Sequence, residues 1–194
     1  MKDITILDNF INDEELEEAR KFIYTNKVQD WFFHTTDNCD KKFILDVSHG
    51  GVELLHRSIV TPSAEKFITR IQNKIEKCIN KKLNLWRVYL NRQVCGQDVP
   101  FHTDDIKYHA YTLLIYIGDI TPENYDKAGG DLEFENKENT SIEPFTKRAV
   151  LFKGCIPHKA YGPLVPDITR ISFAFKLIDT SIKYIKYPFF VNYS

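Results

Sequence analysis

The chain has 194 residues, 43% of them apolar and 27% charged, with a formal net charge of −1. That length suffices for one domain with a sizeable core. The near-neutral balance gives no electrostatic reason to expect a nucleic-acid backbone or an anionic membrane as partner.

Four scattered cysteines, Cys39, Cys78, Cys95 and Cys155, form no CxxC pair, which speaks against a disulfide framework and a cysteine-type zinc site. The N-terminus carries charge where a signal peptide needs an apolar core, and no apolar run approaches the roughly 18 residues of a membrane span. The expected compartment is the cytoplasm, with the nucleus open.

Residues 3–7, DITIL, read as a short strand. In the segment that follows, Asn12 can cap a helix, Glu15 occupies the capping-box position, and acids fill the first turn. Leu16, Ala19 and Ile23 share one face, and the acidic EELEE run reads as a solvated face. Between 28 and 60, DWFFHT and KKFILDV are candidate strands, SHGG a turn, and VELLHRSIV a weaker apolar segment. Thr61 as cap and Pro62 at the first position open a second helix, whose Phe67, Ile68, Ile71, Ile75, Cys78 and Ile79 keep helical spacing to about Lys82.

From Leu83 the texture changes. LNLWRVYLN, VPFHTD, YHAYTLLIYIG, GDLEFE, RAVLFKG and TRISFAFKL are short, rich in aromatic or branched residues and separated by Gly, Pro, Asn and Asp. Six or more closely spaced strands without intervening helices indicate an antiparallel jelly roll or barrel. The chain thus divides into supporting elements (1–82), a β core (83–178) and a tail (179–194), in a single α+β, mainly β, domain. The polar insert 119–130 reads as a mobile loop.

In VPFHTDD, an extended backbone puts His102 and Asp104 on one face and Thr103 and Asp105 on the other. Alone, such a pair is a weak signal, because HxD also occurs as a solvated strand end. A third ligand is required from another strand, and His158 stands out because it follows the apolar strand AVLF. Twelve residues later TRISFAFKL carries Arg170 and Ser172 on one face. A buried Arg is costly unless it meets an anion, and its planar fork suits a carboxylate. Lys176 is the other basic residue on that face. Two His and one carboxylate form the facial triad of non-haem Fe(II) oxygenases, and Arg170 would hold the far carboxylate of a dicarboxylate co-substrate.

With these motifs in hand, the segment from about Leu83 to Leu177 resembles the 2-oxoglutarate and Fe(II)-dependent dioxygenases, specifically their prolyl 4-hydroxylase-like branch. YTLLIYIGD is similar to the strand after the HxD in that branch, AGGDLEFE to its Gly-Gly strand, IEPFTKRAVLF to the lead into the distal histidine, and RIS to an Arg-x-Ser element of other members. The resemblance implies a double-stranded β-helix, with iron on His102, Asp104 and His158. It implies Arg170 and Tyr116 on the distal carboxylate of 2-oxoglutarate, Thr112 lining the pocket, and Tyr89 and Ser172 reaching the co-substrate. The Tyr89–His102 and His158–Arg170 intervals are slightly longer than in the family. The implied reaction consumes O2 and 2-oxoglutarate, with ascorbate as an optional addition, and hydroxylates a C–H bond with succinate and CO2 as co-products. A small residue at position 104 would instead open a coordination site, as in halogenase relatives.

The first substrate class implied is a prolyl or other side chain in a protein or peptide, and a free amino acid or small molecule stays open. An AlkB-type nucleic-acid demethylase would carry a second Arg in the last strand, which TRISFAFKL lacks. A zinc hydrolase could use His2Asp but has no use for Arg170, and a cupin-like binding module has no use for a complete triad with its clamp. His34, His49 and His56 read as packed, surface or loop residues, His109 as a decoy, Cys95 and Cys155 as buried small hydrophobes, and Trp31, Phe32 and Trp86 as core. The apolar end, KYIKYPFFVNYS, reads as tied down on the domain.

Overall fold

Helix and strand signals assemble into layers in the computed structural model, which describes residues 3–25, 32–33, 50–53, 62–106, 109–135 and 140–180. In chain order the elements are β1 (Ile4–Leu7), α1 (Asp13–Thr25), β2 (Phe32–Phe33), β3 (Gly50–Glu53), α2 (Pro62–Ile79), β4 (Leu83–Gln93), β5 (Val99–His102), β6 (Ala110–Tyr116), α3 (Tyr125–Ala128), β7 (Leu132–Phe134), β8 (Ser141–Ile142), β9 (Ala149–Lys153), β10 (His158–Ala160) and β11 (Arg170–Asp179). The strands form a major sheet in the order β1-β9-β6-β11-β4-β3-β2 and a minor sheet in the order β5-β10-β7-β8. From β5 onward the chain passes back and forth between the sheets: β5 minor, β6 major, β7 and β8 minor, β9 major, β10 minor, β11 major. With antiparallel pairing throughout, this winding is a double-stranded β-helix, a mainly β jelly roll with the N-terminal helices on one sheet.

Alternation along β11 explains how one strand serves two layers. Phe173, Phe175 and Leu177 face the helices and join the larger core cluster with Leu16, Ala19 and Phe22 of α1 and Phe67, Ile68, Ile71 and Ile75 of α2. The rings of Phe67 and Phe173 lie 5.4 Å apart, and those of Phe22 and Phe67 5.6 Å apart. Each such buried phenylalanine stabilises the fold by about 2–3 kcal/mol. Ala174 faces the other way, into a second cluster between the sheets with Leu114, Tyr116, Leu132, Phe134, Val150 and Phe152.

The start of α1 is fixed by the capping box read from the sequence. The Glu15 amide donates to Asn12 Oδ1 at 2.8 Å, and the Asn12 amide donates to Glu15 Oε2 at 3.0 Å. Glu15 departs from the solvated face expected of the acidic run: it is only 8% exposed and pairs with Lys74 and Arg70 of α2.

Other expectations are corrected by the packing. Gly50 and Gly51 belong to β3, paired with β2 on one side and β4 on the other, and not to a turn. Trp86 is 61% exposed instead of core. A register shift between Lys176 and Leu177 pairs these with Arg87 and Leu85, so Trp86 is the extra residue of a bulge. Cys78 and Cys95 are exposed and Cys155 is half-buried. The 119–130 insert folds into α3 and its flanking turns, with the Thr121 amide on Asn124 Oδ1 at 2.8 Å and Asn124 Nδ2 on the Asp119 carbonyl at 2.9 Å. β8 and β10, of two and three residues, have no counterpart among the expected strands. Thr61, Trp31, His34, Cys39, His49, His56, the KKFILDV segment and the KYIKYPFFVNYS end lie outside the described residues.

Burial acts against the Glu15 charge, but hydrogen bonds from Lys74 and the Asn12 amide, with the Lys74 and Arg70 charges, outweigh it and hold its carboxyl below the ordinary 4.5. A depressed carboxylate contributes stability that is present above its unfolded value and lost as pH falls through the folded one. Glu15→Gln keeps the cap and loses the ion pairs, so it should destabilise by about 0.5–1 kcal/mol near neutrality. In urea unfolding, the difference from wild type should shrink steadily below the ordinary carboxylate range.

Candidate metal centre and co-substrate pocket

The site begins with a strand pairing. His102 on β5 and His158 on β10 are directly opposed in the minor sheet, which places their rings on one face with centroids 4.4 Å apart. Each ring is oriented identically by its own backbone: Nδ1 of His102 lies 2.9 Å from the Pro100 carbonyl, and Nδ1 of His158 2.9 Å from the Ile156 carbonyl. A carbonyl only accepts, so each Nδ1 carries a proton, and in the neutral ring Nε2 then presents a lone pair. Both Nε2 atoms aim at Asp104, His102 at 3.7 Å from Oδ1 and His158 at 3.6 Å from Oδ2. His158, 4% exposed, packs on the rings of Phe152 and Phe134. Burial is the main cause that pushes its pKa down to about 4, so its imidazole is neutral at ordinary pH.

Asp104 reaches the cluster by a route that simple alternation does not describe. β5 ends at His102, and the following bend is pinned by one acceptor, the Gly154 carbonyl, which receives the amides of Asp104 at 2.8 Å and Asp105 at 3.1 Å. One ligand atom from each of His102, Asp104 and His158 lies within 4.8 Å of the others, the sole such grouping of three metal-ligating side chains found among the described residues. Asp105 and His109 are outside it. The carboxylate is surrounded by donors: Thr112 Oγ1 donates to Oδ2 at 2.5 Å, and the Lys176 ammonium ion-pairs with the same oxygen. Burial alone would raise the Asp104 pKa, but the charge of the Lys176 ammonium and its hydrogen bond drive it far below the usual carboxylate range.

A second polar group lies at the other end of β11. Arg170, 2% exposed, donates from Nε to the Gly130 carbonyl at 2.9 Å, from Nη1 to Gln93 Oε1 at 2.5 Å and from Nη2 to Tyr116 Oη at 3.3 Å. Every one of these partners is neutral, and among the described residues no carboxylate lies within ion-pair distance of this guanidinium. Between the two ends, Ser172 pairs in register with Asn91 and Tyr116. Ser172 Oγ and Asn91 Oδ1 are buried without a hydrogen-bond partner among the described residues. Ala174, the smallest side chain on this face, stands between Ser172 and Lys176.

A buried cation with only neutral partners and two buried polar atoms awaiting partners fit an anionic, polar ligand. The donor set opposite, two imidazole Nε2 atoms and a carboxylate, fits a divalent transition metal with open positions.

The structure brings His102, Asp104, His158, Arg170, Tyr116, Thr112 and Ser172 to the space between the sheets. Tyr89 sits at the metal end of that space and not beside Arg170: its ring lies 5.6 Å from Lys176 Nζ and 5.0 Å from the Arg87 guanidinium. The residue of β4 that meets Arg170 is Gln93, directly opposite it in register. Asn91 and Gln93 share a strand face with Tyr89, two and four residues further along β4. Lys176 was visible on the Arg170 face, but its partner, Asp104, is distant in sequence.

Asp104→Asn should weaken Mn(II) binding by about tenfold or more and lower the melting temperature, because it leaves Lys176 buried opposite a neutral amide. Asp105→Asn should bind Mn(II) as wild type does. Metal titration with a thermal melt of each variant checks both statements.

No family model matches the chain, and no curated protein matches it by sequence. Solved structures do. A prolyl hydroxylase from Trichoplax adhaerens, in complex with a hypoxia inducible factor oxygen degradation domain peptide fragment, superposes with a TM-score of 0.69 at 16% identity over 92% of this chain and 84% of that one. The viral collagen prolyl hydroxylase of Paramecium Bursaria Chlorella virus-1, in its 2OG complex, gives 0.63 at 17% identity, covering 91% and 97%. SnoN, a non-heme alpha ketoglutarate dependent epimerase from nogalamycin biosynthesis, gives 0.64 at 12% identity, covering 91% and 76%. The chain therefore has the double-stranded β-helix fold of the prolyl hydroxylases and other 2-oxoglutarate/Fe(II) oxygenases.

Proposed function

We propose that this chain is an Fe(II)- and 2-oxoglutarate-dependent dioxygenase that hydroxylates a C–H bond, acting on a prolyl or other side chain of a protein or peptide. The observation that carries this reading is Arg170: a buried guanidinium satisfied only by neutral groups, on the same strand face as the partner of a His–Asp–His cluster. A structural role would not require an uncompensated buried charge there. A dicarboxylate co-substrate supplies the missing anion.

In this reading His102, His158 and Asp104 hold the iron through Nε2, Nε2 and one carboxylate oxygen. When bound, the metal with 2-oxoglutarate and O2 supplies the oxidising chemistry, in which the co-substrate becomes succinate and CO2 and one oxygen atom enters the substrate C–H bond. The protein supplies position and surroundings. The Pro100 and Ile156 carbonyls fix both imidazoles in the tautomer a metal needs. Arg170, held in orientation by Gln93 and Gly130, takes the distal carboxylate of the co-substrate, with Tyr116 Oη beside it. Ser172 and Asn91 offer polar contacts along its length, and Leu114, Phe134 and Phe152 keep water from the metal end.

Likeness to the peptide-bound prolyl hydroxylase supports a peptide substrate, and likeness to an enzyme of nogalamycin biosynthesis supports a small molecule as second reading. The chain is proposed to act as a single domain. None of its described helices is long and apolar enough to cross a membrane, and a cytoplasmic location is proposed on the same terms.

Purified protein supplied with Fe(II), ascorbate, 2-oxoglutarate and O2 should release succinate, measured by mass spectrometry. His102→Ala should abolish that release. Arg170→Gln should raise the 2-oxoglutarate concentration for half-maximal rate by about tenfold or more, because a bidentate charged contact is lost. Equal succinate release from His102→Ala would remove the metal assignment. Proline-containing peptides stimulating turnover, against free amino acids, would decide between the two substrate classes.

A further inference from the structure

Lys176 has no part in the proposed function. Its side chain, 9% exposed, enters from β11 beside Thr112 of β6, its register partner, and Arg87 of β4. Nζ ion-pairs with Asp104 Oδ2 and donates to Thr112 Oγ1 at 3.1 Å. Thr112 in turn donates to the same carboxylate oxygen. Oδ2 is thereby committed to two protein donors, while Oδ1 faces His102 Nε2. A metal held by both imidazoles would take Asp104 through one oxygen, with an ammonium fixed on the other.

We propose that Lys176 is a positioning residue that couples metal binding to binding of the dianionic co-substrate, by clamping the second oxygen of Asp104 and setting a permanent positive charge beside the cation. The inference rests on the metal-centre reading. Its physics is simple electrostatics in a site of low polarity. An ammonium a few ångströms from a divalent cation repels it and draws charge from its only anionic ligand, so the bare site binds metal weakly. The co-substrate brings two negative charges. One is taken by Arg170, and the other arrives at the metal end, where both the cation and Lys176 attract it. Each ligand therefore strengthens the other, and linkage requires the factor to be the same in both directions. Lys176 can be replaced in two informative ways: Lys176→Gln keeps a donor near Asp104 and Thr112 without the charge, and Lys176→Arg keeps the charge.

The test is the affinity of the full-length protein for Mn(II), with and without 2-oxoglutarate, followed by the electron paramagnetic resonance of free Mn(II). Fold is monitored by circular dichroism and thermal melting. In wild type, 2-oxoglutarate should tighten Mn(II) by about tenfold or more, within the usual range of coupling energies. Lys176→Gln and Lys176→Met should bind Mn(II) alone about tenfold more tightly than wild type, and the tightening by 2-oxoglutarate should fall at least severalfold. Lys176→Arg should restore both quantities towards wild type. Absence of coupling in wild type, or folded neutral variants whose bare Mn(II) affinity is unchanged or weaker, would overturn the role of Lys176 and leave the metal centre standing. No Mn(II) binding by wild type under either condition would overturn the metal centre itself, and the proposal with it.

Discussion

The structure turns on one buried carboxylate. Asp104 is almost withdrawn from solvent, in an interior where an isolated anion is strongly disfavoured. Two imidazoles, a hydroxyl and an ammonium converge on it, and the hydroxyl and the ammonium keep it charged. Those partners come from four different strands of both sheets, β5's neighbour β10, β6, β11 and β5 itself. The two sheets must close at one separation for all the contacts to exist together. That requirement explains why the supporting shell is so specific. The Gly154 carbonyl fixes the bend that carries Asp104, the Pro100 and Ile156 carbonyls fix the rings, and Phe134 and Phe152 wall one side.

The same sheet that carries the polar face carries the apolar one. Along β11, odd positions from Phe173 to Leu177 are locked under α1 and α2, and even positions from Arg170 to Lys176 line the space between the sheets. The helices therefore serve the site indirectly. By covering the far face of the major sheet they hold β4, β6 and β11 in register, and register is what puts Gln93 opposite Arg170 and Thr112 opposite Lys176. A slip of one residue would turn Arg170 and Lys176 into the hydrophobic layer and Phe173 into the pocket. Burial of several aromatic rings opposes that slip far more strongly than any single polar contact in the site.

Much of this was legible in the residues themselves, for reasons that are local. Alternation in TRISFAFKL marks Arg170 and Ser172 as companions, the capping box marks the start of α1, and the HxD pair with a later His marks a candidate metal-ligand set. What could not be read depends on events between distant segments. Trp86 belongs to an apolar-looking strand and yet stands in solvent, because a bulge opposite Lys176 displaces it. Glu15 lies in an acidic run and yet is buried, because Lys74 and Arg70 come from the next helix. Asp104 was chosen for a period of two, but the strand stops at His102 and a bend delivers the carboxylate. Gln93, which meets the Arg170 guanidinium, is identified only when β4 and β11 are paired.

Where a metal sits relative to Asp104 decides whether this chain is an Fe(II)- and 2-oxoglutarate-dependent oxygenase. Crystals of the full-length protein grown without oxygen, with Fe(II) and 2-oxoglutarate, and measured at the iron absorption edge would show it directly. A single anomalous peak is predicted within bonding distance of His102 Nε2, His158 Nε2 and one oxygen of Asp104, with the Lys176 ammonium on the other oxygen and a carboxylate of the co-substrate against Arg170. An anomalous peak elsewhere, or a co-substrate that leaves Arg170 with its neutral partners alone, would contradict it.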